Sequence, residues 1–220
     1  MKVAAAAMMI AAAAAGANAQ SFTEGFDGSS LLPSLWTSVN NSANGPGVNP
    51  DWAQTPGNVG NWLPYEGDGY VAVGYNAIVG AGDISVYLIS PVVTFNNGDT
   101  ISFWTRTWEN VYFPDRLALV YNTDGSTDPS SFTNTLLTIN PNLTTTEYPT
   151  TWTQFTATIS GLPESANGRF AFWYNPSDGG PWGSNSDRVG IDSVVYSSVP
   201  APGSLALLTA GMLVCGRRKR

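Results

Sequence analysis

The feature that most constrains this chain is a strict two-residue alternation of apolar and polar side chains. In residues 100–108, Ile101 and Phe103 fall on one face, and Ser102, Trp104 and Arg106 on the other. Phe155, Ala157 and Ile159 share a face in residues 152–160, against Gln154, Thr156 and Thr158. Phe170, Phe172 and Tyr174 line up in residues 168–175, as do Val189, Ile191 and Val195 in residues 188–196. Successive side chains of a strand point to opposite faces of its sheet, so these runs predict half-buried strands. Further strands are expected at residues 35–39, 70–75, 85–90, 92–95, 117–122 and 135–139. Turn-forming clusters separate them, such as Asn96, Asn97, Gly98 and Asp99, or Ser177, Asp178, Gly179, Gly180 and Pro181. No apolar period of 3.6 residues persists between the two termini. About nine or ten strands at this spacing predict an all-β fold, an antiparallel β-sandwich of jelly-roll type. Residues 40–67 are rich in Gly, Pro and Asn and read as one long loop, a place where function often sits.

Composition narrows the chemistry. All sixteen acids but only four bases, Arg106, Arg116, Arg169 and Arg188, lie between Gln20 and Val199, a balance of −12. Such a surface repels phosphate backbones and argues against a nucleic-acid partner. The chain has no His, and its one Cys is Cys215. That excludes Ser-His-Asp triads, Cys nucleophiles, Cys/His zinc sites and internal disulfides. Carboxylates, oxygen-ligand metals and aromatic stacking remain.

The termini read as addresses. Lys2 precedes an apolar run from Val3 to Ala15, and Ala17-Asn18-Ala19 has the small-x-small form of a signal-peptidase site. Met1–Ala19 is therefore expected to be a helical secretory signal removed by signal peptidase, with Gln20 opening the mature chain. At the other end, Pro200 and Pro202 precede a short apolar stretch, residues 203–216, and then Arg217, Arg218, Lys219 and Arg220. That stretch is shorter than the roughly 20 residues that span a bilayer. It suits transient membrane insertion of a short apolar helix with a basic stop. The tripartite tail, Pro200–Arg220, resembles the PEP-CTERM sorting signal, although Ala201 stands where that signal usually carries Glu. The resemblance implies recognition and cleavage by an exosortase in a Gram-negative bacterium. It also implies inner-membrane association before processing, and a cell-surface or exopolysaccharide-matrix location after it.

The intervening 20–199 region carries a second set of motifs in order. Glu24, Gly25, Phe26 and Asp27 come first, then Pro33 and Trp36, then Val86 to Pro91, then Gly98, Asp99 and Thr100 leading into Trp104. Asp115 to Tyr121, Trp152, Arg169 to Phe172, and Gly190, Ile191, Asp192 follow. Together they resemble the choice-of-anchor J domain, related to cleaved-adhesin and MAM-like jelly rolls. The resemblance implies a sandwich attached to varied sorting signals and no catalytic activity.

Three kinds of site are candidates. For carboxylate chemistry, a glycosidase needs two acids flanking a cleft, and no pair here sits on one strand face among aromatics; no catalytic residue is assigned. For metal, Asn122 to Asp128 spaces oxygen ligands like a calcium loop but lacks the distal Glu, and a hairpin turn explains it as well. Jelly-roll modules commonly hold a structural calcium between the first and last strands, which nominates Asp27 and Asp192. No other cofactor is required. For ligand binding, Trp52, Trp62, Tyr65 and Trp182 lie in Gly/Pro/Asn-rich loops, where exposed rings suit the faces of sugars. The expected function is a non-catalytic carbohydrate-binding or adhesion module for a neutral glycan such as an exopolysaccharide. A purely structural surface protein without a ligand, or a polysaccharide hydrolase, are the alternatives.

Overall fold

The computed structural model describes residues 21–28, 35–56 and 62–199. The proposed signal segment Met1–Ala19 and sorting tail Pro200–Arg220 lie outside the described residues. Twelve strands run in chain order among those described: β1 (Phe22–Glu24), β2 (Thr37–Asn40), β3 (Ala53–Pro56), β4 (Gly69–Gly74), β5 (Val86–Ile89) and β6 (Val93–Phe95), then β7 (Thr100–Arg106), β8 (Leu117–Asn122), β9 (Asn134–Ile139), β10 (Thr153–Thr158), β11 (Ala166–Tyr174) and β12 (Arg188–Ser197). They form two six-stranded sheets. One runs β10-β7-β12-β4-β3, with β1 also on β12. The other runs β2-β5-β11-β8-β9, with β6 also on β11. All pairings are antiparallel.

The alternation in the sequence becomes the core between these sheets. Phe103 of β7 meets Phe172 of β11 with ring centroids 4.7 Å apart, at 64°. Trp36 packs edge-on to Phe170 at 5.8 Å and to Phe26 at 5.2 Å. Edge-to-face pairs of this kind add about 0.5–1.5 kcal/mol beyond the area they bury.

The sequence pattern misses the three-residue β1, which is too short to show alternation, and departs from the structure in two further places. Residues 40–67 are not one loop, because Ala53–Pro56 pairs with β4, Gln54 opposite Val71. A four-residue edge strand with a proline at its end carries too little alternation to be seen. The second departure is in β12. Val194, not Val195, is buried in the core. The register against β7 shifts between Asp192 and Val195, and Ser193 takes the left-handed conformation at φ 48°. One extra residue in a strand moves every later side chain to the other face. Ile191 and Val194 therefore both point inward, three residues apart, with Asp192 on the outer face.

Candidate functional site

The outer face of the first sheet is built around a glycine. Gly190 of β12 lies beneath Trp62, Tyr70 and Trp152, whose ring atoms stand 3.0–3.3 Å from where a Cβ would be. A Cβ there would crowd all three rings, which would have to give by a few tenths of an ångström. Trp62 also stacks obliquely on Trp108 at 5.0 Å. Two guanidiniums flank its ring, Arg106 at 4.9 Å and Arg188 at 5.5 Å. Both are outward-facing strand residues, which is why the sheet brings them together.

Above this floor, three depressions open side by side. One of about 520 Å³ is bounded by Trp62, Trp108, Glu109, Asn110 and Tyr112. A second, of about 350 Å³, runs over β3 and β4 past Asp51, Thr55, Asn76 and Arg188. A third, of about 230 Å³, lies among Tyr112, Phe113, Gly180, Pro181 and Ser186. Tyr75 and Asp187 border all three. They are tied together, the Tyr75 amide donating to the Asp187 carbonyl at 2.9 Å. The surrounding rings stand open: Tyr112 is 78% exposed, Phe113 46% and Tyr75 41%.

The walls are held by hydrogen bonds. Buried Asp115 accepts from the Thr107 hydroxyl at 2.6 Å, the Tyr174 hydroxyl at 2.6 Å and the Asp187 amide at 2.8 Å. The Ser186 amide donates to the Pro114 carbonyl at 2.9 Å, and the Gly180 amide to the Ser186 hydroxyl at 2.8 Å. The loop carrying Tyr112 and Phe113 is thereby fastened to the loop carrying Pro181. Burial, and then the negative charge of Asp115, push the Asp187 carboxyl up to about 6, against a hydrogen bond from the Trp108 indole.

The ring residues proposed from sequence do not behave alike. Trp52 is 2% exposed and packs in the main core, its indole donating to the Val86 carbonyl at 3.2 Å. It follows directly into β3, the strand missed in the sequence, and so faces inward rather than toward a ligand. Trp62 is 3% exposed. It plugs the outer face of the sheet and, though it borders the first depression, leaves almost none of its surface to it. Tyr65 is 42% exposed and stacks on Trp104, centroids 3.7 Å apart, so one of its faces is covered. Trp182 is 83% exposed on the loop that borders the third depression. Tyr75, Trp108, Tyr112 and Phe113 were missed as site residues. Tyr75 lies just past the end of β4, and Trp108, Tyr112 and Phe113 lie in the loop between β7 and β8, where no alternation marks them.

Asp27 and Asp192 are drawn toward each other by the turn at residues 65–68. The Tyr65 and Glu66 amides donate to one Asp192 oxygen at 2.8 and 3.2 Å, and the Ser193 amide to the other at 2.6 Å. The Asp68 amide donates to Asp27 at 2.7 Å. Gly67, at φ +69°, leaves room for the Asp27 carboxylate, which would collide with any Cβ there. Asp192 is fully buried, not facing solvent. Burial, rather than its partners, dominates its carboxyl and lifts it to about 6, and the charge of Asp27 adds to the rise. Oxygen donors of this kind suit a hard cation. Yet among the described residues no group of three or more acids gathers to hold a metal ion. The two Asp192 oxygens already accept from three backbone amides. Asn122, in the other calcium-like segment, instead binds the Ser126 carbonyl and the Ser131 hydroxyl and closes a turn.

No family model matches the chain. Gingipain R1 and Lys-gingipain of Porphyromonas gingivalis are each 32% identical to it over 111 residues, 48% of this chain. The chain spans only about 6% of the length of either. The K1 cleaved adhesin domain of Lys-gingipain superposes with a TM-score of 0.58 at 24% identity, over 82% of this chain and 99% of that one. This chain has the cleaved-adhesin fold. The K3 cleaved adhesin domain superposes similarly, with a TM-score of 0.57 at 22% identity, over 81% and 98% of the two chains.

Proposed function

We propose that this protein is a non-catalytic adhesion module that binds neutral glycans in the cleft around Tyr75 and Asp187. One observation carries the reading. The open aromatic rings of Tyr112, Phe113 and Tyr75, with the half-buried Trp108 beside them, border a cleft whose remaining walls are carboxylates, amides and hydroxyls on hydrogen-bonded loops. Rings stack against the apolar faces of sugars, and the polar groups take their hydroxyls. The adhesin name carried by the structural relatives agrees with this role. Glu109 and Asp187 border the same depression, but Glu109 is 78% exposed, with Arg106 at 3.6 Å. A carboxylate so exposed is open to water and within reach of a ligand's hydroxyls, where it serves as a hydrogen-bond acceptor. A neutral glycan array with the purified protein tests the function. Tyr112→Ala should weaken binding to the hits roughly two- to tenfold, since a stacked ring contributes about 0.5–1.5 kcal/mol, and reducing sugar should not be released. An array without hits would leave a purely structural surface protein.

The sequence supports two further parts of this reading. Export through Met1–Ala19 followed by exosortase processing of Pro200–Arg220 would place the module at the cell surface or in the matrix. A structural calcium between Asp27 and Asp192 would neutralise two neighbouring carboxylates where the chain ends of the sandwich meet.

A further inference from the structure

The three depressions differ in chemistry and converge on one point. The first is aromatic with acceptors, Trp108 and Tyr112 beside Glu109 and Asn110. The second is polar, with Asn49, Asp51, Thr55, Asn76 and Arg188 over a floor of small residues. The third is small and apolar, with Phe113, Pro181 and Gly180. The first and second share Trp108, the first and third share Tyr112, and all three share Tyr75 and Asp187. The shared pair sits where β4 ends beside the start of β12, so its position is set by the sheet rather than by a free loop.

We infer that the cleft is three-armed and takes a branched neutral saccharide, with its branch point over Tyr75 and Asp187. The inference rests on the glycan-binding reading above. A linear chain crosses a junction through two arms and leaves the third full of water. A branched one covers all three, and ligand sites gain most when most of the ligand surface is buried. The walls are already fastened, Ser186 to Pro114 and Asp187 to Asp115, so little ordering cost falls on binding. Neutrality follows from the lining. Asp51, Glu109 and Asp187 outnumber Arg188, the one cation among the lining residues, so sulfated or uronic sugars meet repulsion.

The test is a panel of matched neutral oligosaccharides titrated against the purified protein by calorimetry. Cellotetraose is set against the xylose-branched glucan heptasaccharide, and linear mannotriose against 3,6-branched mannopentaose, with linear and branched galactans and xylans on an array beside them. At least one branched member should bind tenfold or more tightly than its linear partner, and Phe113→Ala should shrink that ratio. Equal affinity for linear and branched members overturns the branch inference and leaves glycan binding standing. Binding of no member, linear or branched, overturns both.

Discussion

Trp62→Ala separates a structural plug from a ligand platform. The indole is 3% exposed and packs on Tyr70, Trp108 and the face of Gly190. Truncating a buried Trp costs about 3–5 kcal/mol in transfer and cavity terms. Two arginines also lose the ring they flank, at about 0.5–1 kcal/mol each where partly exposed. One term opposes these. The Trp62 indole N–H is buried without a partner among the described residues, and removing an unsatisfied donor recovers about 1–3 kcal/mol. The net expectation is a loss of about 3 kcal/mol. For a domain of this size each kcal/mol moves Tm by about 2–4 °C, so the melting temperature should fall by about 6–12 °C. Differential scanning calorimetry reads this directly, with Trp182→Ala as control, because a ring 83% exposed should leave Tm within about 2 °C. An unchanged Tm in Trp62→Ala would refute the plug and return Trp62 to the surface.

Three more outcomes are expected. Asp187 titrates near 6 in the fold and near 4 when unfolded, so the folded chain holds more protons between those values, and stability falls as pH rises through that window; Tm should be higher at pH 4.5 than at pH 7, and Asp187→Asn should reduce the difference. If calcium bridges Asp27 and Asp192, millimolar calcium should raise Tm relative to chelator, by up to about 2.7 kcal/mol of stability at a hundredfold excess over Kd, and Asp192→Asn should remove the dependence; superimposable melts would dismiss the ion. Neutralising Arg217, Arg218, Lys219 and Arg220 should stall C-terminal processing in the native host, since a short apolar stretch needs its charged stop, and an intact mass with an unchanged mature terminus would count against exosortase cleavage.

The strands were legible wherever one face meets the core and the other meets water, because burial then writes the pleat into the sequence. Phe103, Phe155 and Phe172 are read correctly for that reason. β3 was hidden because four residues with a terminal proline show almost no period. The bulge at Ser193 was hidden because a single inserted residue leaves composition unchanged while inverting Val194 and Val195. The acid in that strand could be picked out, since Asp192 interrupts an apolar run. Its depth could not, because the cover is a turn from residues 65–68, more than a hundred positions away. The ring residues show the same limit from the other side. Trp52 and Trp62 sit in Gly/Pro/Asn-rich sequence and look exposed, but one leads into an unseen strand and the other lies in the hollow over Gly190. Whether a loop aromatic is a plug or a platform depends on what faces it across the sheet, and for Trp62 that includes the bare backbone of Gly190 on β12, beside Tyr70 and Trp108.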